Sequence, residues 1–159
     1  MKRLILPVVL GLLLIGVVVL GALPQPSQGQ STARLVTVLS SASRITDTAS
    51  SDVYNLAENL NTRGAYLVLD VTAIASSPRI TLSVQVKDSL SGKYQSVMTA
   101  TTGVTAVGTK TYLVYPGAGT AAADITQVAG FPLPPVWRVY MDHDDGDAIT
   151  YTVGAMLLP

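Results

Sequence analysis

The residues with the most chemical potential lie together near the C-terminus, in Asp142-His-Asp-Asp-Gly-Asp147, where four carboxylates and the only histidine fall within six positions. Oxygen ligands around a glycine turn suit calcium, which makes Asp142, Asp144, Asp145 and Asp147 weak candidate metal ligands. The spacing departs from an Asp-x-Asp-x-Asp-Gly loop, because Gly146 comes one position early. The competing reading is a solvated turn, in which Asp and Gly serve backbone geometry. His143 has the ring of a general base, but no nucleophile accompanies it. There is no G-x-S-x-G elbow and no cysteine. Gly117-Ala-Gly119 opens no helix and so forms no phosphate loop. Asp70 and Asp88 could act as a carboxylate pair; Asp70 reads better as an outward strand residue near Arg79 or Lys87. No catalytic residue or resident cofactor is expected, and the chain is read as a non-enzyme.

A second class of site is aromatic. Trp137, Tyr66, Tyr94, Tyr112, Tyr115, Tyr140 and Tyr151 could form a sugar-binding platform on a sheet face. Trp137, Tyr140 and Tyr151 make the candidate contact surface, with Tyr140 and Tyr151 close together if the last two strands pair. Core packing and cross-strand contacts are the other use of such residues.

The elements that must position these groups are strands. Val136–Met141 and Ala148–Leu158 are apolar, β-rich runs on either side of the acidic turn, which is the pattern of an antiparallel hairpin. Trp137, Val139 and Met141 point one way, and Val136, Arg138 and Tyr140 the other. Upstream, Ala65–Ala73 puts Leu67, Leu69, Val71 and Ala73 on a core face. Arg79–Asp88 puts Ile80, Leu82, Val84 and Val86 inward and Thr81, Ser83, Gln85 and Lys87 outward. Arg34–Leu39, Tyr94–Ala100 and Thr109–Tyr115 read as strands, and Asp124–Val128 as a short one. Ser40–Ser51 reads as a loop or weak edge strand. Val53–Leu60 reads as a strand leading into a turn, with a helical turn as rival. These signals predict an all-β fold: an antiparallel β-sandwich, jelly-roll or Ig-like, of about seven to nine strands.

The first 23 residues stand apart. Met1-Lys-Arg3 precedes Leu4 to Leu23, an uncharged run long enough as a helix to span about 30 Å of hydrocarbon. Its positive flank keeps the N-terminus cytoplasmic and sends the rest across. The segment 1–23 is thus a signal peptide or a transmembrane anchor, 24–32 a Pro/Gln/Ser linker, and 33–159 the sandwich domain. The protein is expected outside the membrane: extracellular, at the cell surface or in a virion. Residues 4–23 hold it to the membrane if they are not cleaved. Two of the ten basic residues belong to that segment, leaving eight against ten acidic ones. A near-neutral body argues against nucleic acid as an electrostatic partner, which needs a basic face, and none is expected.

The order AYLVLDVTAI, RITLSVQVKDSLSGKY, TYLVYPG and PVWRVYMDHDDGDAITYTVGAMLL resembles small β-sandwich virion structural proteins, of the head or tail module, from tailed bacteriophages. The resemblance covers roughly Gly64 to Leu158 and departs at the hydrophobic N-terminus. Its motifs are structural and transfer no functional residues. It implies a sandwich that works by self-association or by contacts with other structural proteins. The alternative is a cell-surface glycan-binding module, calcium-assisted through the Asp142–Asp147 turn.

Overall fold

Where apolar and polar residues alternate most cleanly, in Arg79–Asp88 and Val136–Met141, the chain forms the two central strands of a sheet. The computed structural model describes residues 33–54 and 62–159. The expected segment 1–23, the linker 24–32 and most of the Val53–Leu60 run lie outside the described residues. The strands in chain order are β1 (Arg34–Arg44), β2 (Thr48–Ala49), β3 (Val53–Tyr54), β4 (Gly64–Ile74), β5 (Ile80–Lys87), β6 (Tyr94–Thr99), β7 (Gly108–Val114), β8 (Gln127–Ala129), β9 (Val136–His143) and β10 (Ile149–Leu158). They make two five-stranded sheets packed as a sandwich. Sheet A has the order β1-β10-β4-β7-β8; sheet B has β2-β9-β5-β6, with β3 also on β9. Among the described residues there is no helix, hence none long and apolar enough to cross a membrane.

The expected hairpin does not form. β9 pairs with β5, β2 and β3 in sheet B, while β10 pairs with β1 and β4 in sheet A. The acidic turn is therefore an arch between layers. Its flanking strands each bury one face against the other across the core, which a flat hairpin could not do. Three further connections cross between the sheets at the same end: 45–47, 75–79 and 100–107. All pairings between strands are antiparallel except β7 with β8, which is parallel.

The inward residues close one core. Trp137, Tyr112, Tyr151, Leu67, Leu69, Ile80, Leu82 and Met141 are fully buried. Trp137 sits opposite Val86 on β5 and Val53 on β3, so the largest side chain bridges one edge of sheet B to its centre. The inward set expected for β5 holds, although Val86 is only half-buried, and on β9 the face of Trp137, Val139 and Met141 is the buried one. Ser83 faces out as expected but is buried, its hydroxyl donating to Thr99 Oγ1 at 3.1 Å. Ala73, expected inward, is exposed. The register against β10 slips between Tyr151–Val71 and Thr150–Ala73, so Thr72 is an extra residue. Such a bulge reverses the side-chain sense beyond it. β1 also runs on to Arg44, through the Ser-rich stretch expected as loop or weak edge, with two register shifts against β10.

One core polar atom stands out. The Tyr112 hydroxyl is buried without a hydrogen-bond partner among the described residues, and burial raises its pKa above 10.0. An unpaired buried hydroxyl carries a desolvation penalty. Tyr112→Phe should therefore leave stability unchanged or raise it by up to about 1 kcal/mol, whereas Trp137→Ala should cost about 3–5 kcal/mol. Urea unfolding of both variants measures the contrast, and a large loss in Tyr112→Phe would show that the hydroxyl has a partner.

Candidate functional site

A chain that changes sheets leaves corner amides without a ladder partner, and those amides need acceptors. The acidic residues at the arch end supply them. Asp145 Oδ2 accepts from the Arg79 amide at 2.9 Å, and its Oδ1 from the Asp147 amide at 3.0 Å. Asp147 Oδ2 accepts from the Ser77 amide at 3.1 Å. These bonds tie the β9–β10 arch to the β4–β5 connection. They also hold Ser76, whose φ of 63° is in the left-handed region that a serine seldom adopts. The Asp144 amide donates to the Arg79 carbonyl at 3.1 Å.

Arg79 joins the third connection. Its Nε lies 3.0 Å from Asp144 Oδ2, with both side chains well exposed, so that ion pair adds little. The Arg79 stem lies over Gly103, where an added Cβ would come within 2.8 Å of its Cγ. Ile80 and Val104 exchange backbone hydrogen bonds alongside.

The β1–β2 connection is held by Asp47. Its Oδ2 accepts from the Tyr140 hydroxyl at 2.6 Å, and its Oδ1 from the His143 amide at 2.8 Å. These two bonds hold the Asp47 carboxyl below its usual range, and the same carboxylate pushes Tyr140 up to about 12. Arg44 closes the corner from the β1 side. Its guanidinium donates to the carbonyls of Ser40, Ala42 and Tyr151 at 2.7–3.1 Å and stands 4.5 Å from the Tyr151 ring centroid.

His143 lies inside this knot. Its Nε2 is 3.1 Å from the Tyr151 hydroxyl, and its Nδ1 is buried without a partner among the described residues. Burial holds its pKa below 6.5, against the pull of Asp47 and Asp145. The half-buried ring packs against Tyr151 and steadies the corner. Asp142 faces solvent, and burial together with the charges of Asp47 and Asp144 raises its pKa.

The proposed calcium set does not assemble. Among the described residues no three Asp, Glu or His side chains converge on a metal position. Asp145 and Asp147 turn oxygens to backbone amides, Asp144 turns to Arg79, and Asp142 lies against Asp47. Asp70 and Asp88 do not meet either. Asp70 accepts from Thr109 Oγ1 at 3.0 Å in sheet A, while Asp88 caps the β5–β6 turn, accepting from the Leu90 and Ser91 amides.

The aromatic contact surface is corrected as well. Trp137 and Tyr151 are fully buried, and only Tyr140 of the three faces outward. Tyr140 and Tyr151 belong to different sheets, because their strands do not pair. Tyr112 is in the core. Tyr94 stacks under Arg138, 3.4 Å from the guanidinium to its ring centroid, on the outer face of sheet B. Tyr66 is on the outer face of sheet A. Tyr115 follows β7, its hydroxyl donating to the Pro159 carbonyl at 2.9 Å, and the seven aromatic residues share no single platform.

Sequence reasoning overlooked Arg44, Asp47 and Asp52. Asp52 accepts from Lys87 Nζ at 2.9 Å and from the Tyr94 hydroxyl, and both bonds hold its carboxyl below the usual range. The available signal was three isolated charges, Arg44, Asp47 and Asp52, in the Ser/Thr-rich stretch 40–52. No protein-family model, curated protein or solved structure matches this chain.

Asp145→Ala frees two backbone amides and should cost about 1–2 kcal/mol in urea unfolding. Calcium or chelator should leave the melting temperature of the unsubstituted protein unchanged; a calcium-dependent rise would restore the metal site. His143 gives a pH dependence. Its folded pKa is depressed, so the unfolded chain binds the extra proton. Stability is full above 6.5 and falls as pH drops from there to the folded value. His143→Gln should flatten the stability profile just below pH 6.5. An unchanged slope would mean that the ring is not held neutral.

Proposed function

We propose that this chain is a non-enzymatic structural protein of jelly-roll type that works by assembling with copies of itself or with other structural proteins. The observation that carries the reading is the strand order. β1-β10-β4-β7 facing β2-β9-β5-β6 is the order of two four-stranded sheets wound together as paired Greek keys, with β8 added at one edge. Such sandwiches serve in viral capsids, in line with the virion structural proteins that Gly64 to Leu158 resembles. The chemistry at the arch end supports the same role. Its carboxylates and cations hold backbone, and a rigid end is what a building block needs.

Display outside a membrane is supported by the charge asymmetry around Leu4 to Leu23. Low charge suits packing against like surfaces, since self-repulsion is small. Sedimentation velocity of the full-length chain in mild detergent, with negative-stain electron microscopy, is the test. Oligomers that grow with protein concentration are expected. A single-copy species at every concentration, with no added partner captured in a defined complex, would overturn the reading.

A further inference from the structure

The two outer faces of the sandwich are built differently. On sheet B the outward residues tie each other down. Arg138 Nε donates to Gln85 Oε1 at 2.9 Å and lies over Tyr94, while Lys87 reaches Asp52. That face is polar and internally satisfied. On sheet A the registers align one outward row across all five strands: Leu35, Met156, Tyr66, Leu113 and Val128. The next row reads Thr37, Gly154, Val68 and Thr111. Neither row contains a charged residue. Leu35 is 77% exposed and Met156 37%. An antiparallel sheet that shows one face to water alternates apolar with polar. At this end β4 and β10 do not, reading Gly64-Ala-Tyr-Leu-Val-Leu69 and Val153-Gly-Ala-Met-Leu-Leu158.

The face also has relief. Gly154 lacks a side chain, and a Cβ built there meets nothing within 4 Å. The gap leaves a hollow of about 350 Å³ between Leu35, Thr37, Tyr66, Val68 and Met156. A protruding leucine and an apolar hollow thus stand side by side on one uncharged surface. We infer that the outer face of sheet A is a self-association surface, in which Leu35 of one copy seats in the Gly154 hollow of a second and the reverse contact forms with it. Reciprocal contact of this kind is what a two-fold axis requires, and two uncharged patches meet without like-charge repulsion. A charged partner would leave its charges unpaired there.

The size of the surface sets the strength. Five strands about 4.8 Å apart and two rows of side chains cover a few hundred Å², below the roughly 800 Å² per partner of a standard stable complex. The contact is weak as a lone pair and gains from repetition or from a high local concentration. It names the surface for the assembly role proposed above and rests on that reading.

The absence of cysteine makes a clean test. Full-length chains in mild detergent carry either Thr37→Cys on sheet A or Ser96→Cys, an exposed outward position on sheet B, and are treated with a short bis-maleimide. Thr37→Cys should give a covalent dimer and Ser96→Cys should not. Adding Leu35→Asp should cut the Thr37→Cys dimer at least about tenfold, since a buried unpaired charge costs more than 1.4 kcal/mol. Leu35 is outside the core, so the fold is retained, and circular dichroism checks this. Equal yields at the two positions, or no effect of Leu35→Asp, would overturn the inference. So would loss of the dimer on transfer to phosphatidylcholine vesicles, which would make lipid the cover of this face. If the inference fails while the unsubstituted chain still forms oligomers, another surface carries assembly and the functional reading survives. Single copies under every condition would remove both.

Discussion

The constraint on which the rest depends is the accounting of backbone hydrogen bonds at the end where the chain changes sheets. Four connections cross there, and each puts amides where no ladder can reach them. Carboxylates from neighbouring connections accept those bonds: Asp47 for His143, Asp145 for Arg79 and Asp147 for Ser77. The acidic stretch that looks like a metal loop is thus part of the frame. With Asp145 and Asp147 bonded to those amides, the core of Trp137, Tyr112, Tyr151 and the leucines is closed at that end by bonded arches.

Such a frame leaves the two broad faces free to differ. The network of Asp52, Lys87, Tyr94, Gln85 and Arg138 gives sheet B a surface whose polar groups already have partners. Sheet A has a row of apolar side chains over all five strands and a gap at Gly154. One sandwich therefore has a polar, internally bonded side and a side with a largely apolar patch. That difference follows from which outward positions of β4, β10, β5 and β9 are polar.

The strands themselves were legible in the chain. Alternation in Arg79–Asp88 placed Leu82 and Val84 in the core, and in Val136–Met141 it put Trp137, Val139 and Met141 on one shared face, because a period of two has only two faces to choose from. What misled was local resemblance. Two apolar runs around an Asp/Gly turn look the same whether the turn folds flat into a hairpin or arches between sheets, and β9 and β10 do the second. Ala73 was misplaced by the bulge at Thr72, which depends on the register against β10. The Ser-rich end of β1 looked like loop because its pairing comes from β10, more than 100 residues away.

By itself the sequence determined the class of the fold, the alternating sides of the strong strands, the absence of thiol chemistry and the uncharged run from Leu4 to Leu23. These are properties of composition and short-range period. Only the tertiary structure decided strand order, the partners of β10, the burial of Trp137 and Tyr151, and the use of Asp145 and Asp147 as acceptors for distant amides. The physical reason is that pairing and hydrogen-bond satisfaction are long-range. A carboxylate carries no mark of whether a metal, water or a backbone amide from another connection will meet it until the chain has closed.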